Sequence, residues 1–165
     1  MRDRTRALTL AALCSAVSTL LLLLSEVLPA QRLAMLCLSS LGVVACLCRN
    51  GSLWALGSYA VSAALSFLLL PEKSMALAYG LFCGYYPVLK LKLEGLPSRF
   101  LRYLCKLACF NLALCLFFLL AKQLPLLPLG IVALGCNGAF LLYDYALGKL
   151  ILLYLRKIAG RIDHG

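Results

Sequence analysis

Groups that perform acid–base chemistry are scarce in this chain. It has 6 acidic residues against 16 Lys and Arg, and its one histidine, His164, stands beside the C-terminus. No Ser-His or Cys-His nucleophilic arrangement can therefore be assembled within its apolar segments. The phosphate-cradling G-x-x-x-x-G-K-[ST], the zinc-binding H-E-x-x-H and the nucleophile elbow G-x-S-x-G are all missing. Nothing supports ATP hydrolysis, and neither enzymatic activity nor a cofactor is expected. The 9 cysteines include no C-x-x-C pair. Two thiols such as Cys105 and Cys109 on one helix face make a poor metal site without further ligands. No metal is expected, and the thiols read as small buried hydrophobes.

What the chain does have is apolar length. Its composition is 64% hydrophobic and 13% charged, which belongs to the membrane class. A helix crossing the hydrocarbon core needs ~20 mostly apolar residues. Six such segments read as Ala7–Leu28, Leu33–Cys48, Leu53–Leu70, Met75–Leu89, Tyr103–Ala121 and Leu126–Leu153. The expected fold is all-α: a polytopic membrane protein, one integral domain over 1–165, folded as a compact bundle of about six transmembrane helices. Leu33–Cys48 is short and the weakest of these spans, and it reads either as a full span or as a tilted, partly re-entrant helix, with a five-helix topology as the alternative. The first segment follows a basic stretch, but it exceeds a signal peptide's apolar region and no small-x-small cleavage site follows it. It is expected to stay as a helix.

A formal net charge of +10 would suggest nucleic acid in a soluble protein, but the placement of the charges argues for a bilayer. With a cytoplasmic N-terminus, one side receives Arg2, Arg4, Arg6, Arg49, Lys90, Lys92, Arg99, Arg102, Lys106, Lys149, Arg156, Lys157 and Arg161. The other receives only Arg32, Lys73 and Lys122. Thirteen against three is a strong positive-inside bias. It predicts a multi-pass protein of the cell membrane with both termini cytoplasmic. Tyr85, Tyr86, Tyr143, Tyr145 and Tyr154 near inner ends fit an interfacial aromatic belt.

Small residues at four-residue intervals mark helix contacts in lipid, where close packing replaces the hydrophobic drive. The first segment carries Ala7, Ala11, Ser15 and Thr19 in one row, with Ala12 and Ala16 in the row beside it. The third carries Ser58, Ser62 and Ser66, the fourth Ala76, Gly80 and Gly84, and the sixth Gly135 and Ala139. Pro29, Pro71, Pro125 and Pro128 fall between segments, whereas Pro87 lies inside the fourth and is expected to end or kink it.

Polar residues at membrane depth are costly and default to functional candidates. Asn111 and Asn137 sit at comparable depth, to bond each other or to line a polar cavity. Glu26 and Glu72 lie in outer links with Ser25, Gln31, Arg32, Lys73 and Ser74, and Tyr79 lies two turns below Glu72. These are either solvated turns or the mouth of a pocket, with Glu26, Glu72, Tyr79, Asn111 and Asn137 as candidate solute-binding residues. Arg99, Arg102 and Lys106 follow helical steps and form an inner cationic stripe, suited to anionic headgroups or a cytoplasmic partner.

The basic start, the stretch Arg6–Ala16 with its Ala12-x-x-x-Ala16 and the six-helix, N-in plan together resemble the substrate-binding S components of energy-coupling-factor transporters. That resemblance implies a membrane subunit that binds a vitamin or other micronutrient near the outer face. Ala12 and Ala16 would meet a transmembrane coupling subunit, with cytoplasmic ATPases supplying the energy. In size and topology alone, the chain is also similar to a small membrane subunit of the bacterial rod-shape elongation machinery. That implies a non-catalytic scaffold or assembly factor of the cell envelope. Either way the partners are the lipid bilayer and proteins or a solute, not nucleic acid.

Topology is directly testable. In a cysteine-free background, Lys73→Cys should react with an impermeant thiol reagent on intact cells and Lys92→Cys should not. The reverse pattern would invert the charge argument.

Overall fold

The computed structural model describes residues 2–122 and 128–162; Gln123, Pro125 and His164 lie outside them. Among the described residues every regular element is helical: α1 (Arg2–Val27), α2 (Arg32–Asn50), α3 (Ser52–Leu69), α4 (Lys73–Ala78), α5 (Tyr86–Glu94), α6 (Arg99–Ala121) and α7 (Leu129–Ile162). A short 3₁₀ turn, Pro29–Gln31, links α1 to α2, and a π-helical turn, Tyr79–Cys83, follows α4. Five stretches are long and apolar enough to cross a membrane: Arg4–Val27, Arg32–Asn50, Ser52–Leu69, Arg99–Ala121 and Gly130–Leu153. The chain is thus an all-α protein of the polytopic membrane type. It divides into two compact units, Met1–Leu124 and Pro125–Gly165. The second consists, in its described part, of the single helix α7.

Of the two readings open for the second segment, the continuous helix holds, and the fourth segment is interrupted where Pro87 led one to expect it. Leu33–Cys48 lies within α2, an unbroken 19-residue helix whose length of ~28 Å suits a bilayer core. The interruption falls in the fourth segment. There α4 ends after six residues and the π-helical turn takes over. Gly84 and Tyr85 then form a turn before α5 begins at Tyr86. Pro87 stands at the start of α5, where its missing N–H costs nothing. Proline therefore punctuates the segment by starting a new helix after the break.

The centre of the first unit is the packing of α1, α2 and α3 on one another. Its buried heart contains Ala11, Cys14, Val43, Cys46, Leu47 and Ala55, joined by Val88 from α5. The contact faces are lined with small hydroxyl residues: Ser15, Ser18 and Ser25 on α1, Ser39 and Ser40 on α2, and Ser58, Ser62 and Ser66 on α3 are all buried. Most of these hydroxyls donate to a carbonyl three or four residues back, as Ser25 does to Leu22 O (2.6 Å) and Ser66 to Ser62 O (2.8 Å). A hydroxyl satisfied on its own helix leaves a slim, sealed surface for its neighbour. Ser18 instead reaches across to Ser39 O at 2.7 Å, tying α1 to α2 at mid-length. Beside this bond α2 has Gly42, and a Cβ there would lie 2.2 Å from Ser18 Oγ and 2.6 Å from Cys14 O. Nearer the other ends, Asn50 Nδ2 donates to Ala7 O at 3.1 Å.

The buried row of α1 is the Ala11, Ser15, Ser18, Leu22 and Ser25 side, while Ala12 and Ala16 are exposed. The two small-residue rows legible in the sequence thus take opposite roles within this unit. One seals α1 against α2 and α3, and the other is left on the outer surface. Among the cysteines, Cys14, Cys46 and Cys83 are buried and none of the nine is disulfide-bonded.

Gly42→Ala should lower the melting temperature of the detergent-purified protein, since overpacking costs ~1–3 kcal/mol. Gly57→Ala, where a Cβ meets nothing within 4 Å, should be neutral or slightly stabilising. Equal effects at the two sites would remove Gly42 from the closest crossing.

Candidate functional site

Short links bring the ends of α1, α2 and α3 and the start of α4 to one end of the first unit. Glu26 is on the last turn of α1, Arg32 opens α2, and Glu72 precedes α4. The Arg32 guanidinium pairs with Glu72 through Nη1 and stands 3.9 Å from Glu26 Oε2 through Nη2. Ser74 Oγ donates to Glu72 Oε1 at 2.7 Å and so holds that carboxylate from the α4 side. Two carboxylates on one guanidinium leave this cluster with one surplus negative charge. Within it, Glu26 Oε1 and Arg32 Nε are both sealed from solvent and make no hydrogen bond. One is an acceptor and the other a donor. Lys73, next along the chain, donates to Phe67 O (2.7 Å) and Leu70 O (2.8 Å). Its charge thus caps the carbonyl end of α3.

Tyr79 lies below this cluster, fully buried at 0% exposure. Its hydroxyl shares a 2.8 Å hydrogen bond with Ser62 Oγ, with Ser18 as a second polar neighbour. The phenol is thereby fixed among α1, α3 and the π-helical turn. Tyr59 stands beside it, ring centroids 6.2 Å apart, and donates its own hydroxyl to Gly80 O at 2.6 Å. One turn from Ser62, Ser58 Oγ is buried without a hydrogen-bond partner.

Two of the five candidate solute residues meet at one guanidinium. Glu26 and Glu72 come together on Arg32, whereas Tyr79 is buried with its hydroxyl engaged by Ser62. Asn111 is exposed on α6 and donates to Leu107 O at 2.8 Å, while Asn137 on α7 donates to Ala133 O at 2.8 Å. Both amides thus back-bond to their own helices one turn earlier.

The inner stripe is also divided. Arg99 is exposed, Arg102 is half-buried, and Lys106 is turned inwards at 6% exposure. Lys106 Nζ lies 3.6 Å from Glu94 Oε1, which also takes Lys90 at 3.7 Å. The aliphatic stems of both lysines cover apolar surface while their heads share a carboxylate at the α5–α6 corner. Sequence spacing alone put Lys106 with the surface arginines; the partner that draws it inwards sits twelve residues earlier. Among the described residues, no group of three or more His, Cys, Asp or Glu side chains is arranged to hold a metal ion.

Arg32, which joins the two acids, is the residue that pattern reading left among the turns. The signal for it was present: it is the cation flanked by the two acids of that end. Tyr59 carried no comparable signal, because its role depends on a backbone break elsewhere. No protein-family model, curated protein or solved structure matches the chain.

A double-mutant cycle with Arg32→Gln and Glu72→Gln, read as thermal or chemical stability in detergent, should give a coupling of roughly 0.5–1 kcal/mol, as for partly exposed ion pairs. It should weaken in high salt. Strict additivity would mean that the pair is incidental.

Proposed function

We propose that the chain is the membrane-embedded substrate-binding subunit of a small-solute uptake transporter, energised by partner subunits. The observation that carries this reading is the Glu26–Arg32–Glu72 cluster, with a sealed acceptor on Glu26 and a sealed donor on Arg32. A buried polar atom left without a partner costs ~1–3 kcal/mol, and a polar solute supplies the missing partners. The surplus carboxylate selects a solute that carries an ammonium or other cationic group. Arg32 Nε adds a donor for an acceptor on the same molecule. Tyr79 and Ser62, already bonded to each other, form the floor and limit how deep the solute sits.

In this reading the cluster faces outside and the basic ends of α1, α2, α5 and α6 face the cytoplasm, as the positive-inside bias requires. The cell membrane is the location, with both termini inside. The exposed Ala12 and Ala16 face of α1 meets a transmembrane coupling subunit, and cytoplasmic ATPases complete the assembly. The exposed Arg99 meets headgroups or that assembly. The solute class is a vitamin or other micronutrient, as the resemblance of the Arg6–Ala16 stretch implies.

The test is purification in mild detergent followed by mass spectrometry of bound small molecules and copurifying chains. The expected outcome is a copurifying cationic or zwitterionic small molecule that raises thermal stability. It should be lost from the Glu26→Gln/Glu72→Gln variant while the fold is kept. A preparation that carries protein partners but no solute would overturn this reading in favour of an envelope scaffold.

A further inference from the structure

The break in the fourth segment has a specific chemistry. In an α-helix the Gly84 amide would donate to Gly80 O, four residues back. Here it donates to Tyr79 O at 2.9 Å, a five-residue step that absorbs one extra residue. The Gly80 carbonyl is thereby released from its α-helical donor, and the hydroxyl of Tyr59 on α3 takes it at 2.6 Å. The Tyr59 ring also occupies the space next to Gly84, where a Cβ would lie 2.4 and 2.6 Å from ring carbons. The Tyr59 hydroxyl thus stands in for the Gly84 amide at this carbonyl and favours the π turn. If the amide returns to it, the π turn becomes α and Tyr59 must share the carbonyl or give it up.

That exchange has a mechanical consequence. Removing one residue from a helical turn rotates what precedes it by ~100° and shifts it by ~1.5 Å, the increments of one α-helical residue. What precedes it is α4, only six residues long, with Glu72 at its head on Arg32. A rotation of that size carries Glu72 off the guanidinium. We propose that the π-helical turn is the hinge of a gate over the Glu26–Arg32–Glu72 cluster, with the Tyr59 hydroxyl as its latch and the Arg32–Glu72 pair as its outer clasp. The description of the cluster as a solute site rests on the function proposed above; the hinge itself does not. The latched state keeps the cluster closed, and release of Tyr59 frees α4 to turn and part Glu72 from Arg32.

Hydrogen exchange read by mass spectrometry on the full chain in lipid nanodiscs tests this with no solute present, so its failure is distinguishable from failure of the solute reading. Tyr59→Phe keeps the ring and removes only the hydroxyl. One net hydrogen bond is worth ~0.5–1.5 kcal/mol, or roughly a 2- to 10-fold change in an opening equilibrium. Exchange across Lys73–Ala78 should therefore rise about 2- to 10-fold, although the lost hydroxyl touches none of those residues, while peptides from α1 and α2 keep wild-type rates. Gly84→Ala, which displaces the ring, should act in the same way. Glu72→Gln should also speed exchange in α4, and combining it with Tyr59→Phe should give less than the product of the two effects. Wild-type exchange in α4 of Tyr59→Phe would overturn the latch. So would acceleration spread equally over α1 and α2, since Tyr59 would then be a general packing residue.

Discussion

Within a hydrocarbon core no water competes for a backbone carbonyl, so any group that leaves its helix ladder must find a protein partner. That constraint accounts for the hydroxyl chemistry of the first unit. Ser15, Ser25, Ser39 and Ser66 settle on carbonyls of their own helices, so their helices approach without exposing an unpaired group. Ser18 and Tyr59 do the opposite and satisfy carbonyls on neighbouring helices. The first kind of bond makes slim surfaces, and the second kind fixes which surfaces meet.

Spacing alone revealed the surfaces more readily than the partners. Ser58, Ser62 and Ser66 recur every four residues, and all three are buried on α3. The adjacent rows Ala11–Ser15 and Ala12–Ala16 were both visible, but periodicity has no means of saying which faces inwards. The choice is made by Gly42 and Ser18, whose fit requires α2 to approach α1 on the serine side. Pro87 marked the break in the fourth segment. The π turn was hidden because glycines at 80 and 84 are equally compatible with an ordinary close-packed helix. Arg32 read as a turn residue because its two partners are separated from each other by a whole helical hairpin.

The ion pairs at the two ends of the first unit solve different problems. At one end a guanidinium gathers two carboxylates and leaves polar atoms unsatisfied. At the other the carboxylate of Glu94 stands by two buried lysine heads. The broken segment runs between them, Glu72 preceding α4 and Glu94 ending α5. Ends anchored in this way with an interrupted middle are what the proposed hinge requires.

Gly51 has a further consequence for how the chain reaches the membrane. It sits alone between α2 and α3 with φ at +85°, its amide closing the last turn of α2 on Leu47 O. A side chain there would be strained, because only glycine visits that region freely. With a single residue between them, the two helices have no slack to enter the bilayer one after the other. A turn this tight ties the two helices into one hairpin, both of them apolar enough to cross a membrane. The turn at Gly51 thus couples the insertion of α2 to that of α3.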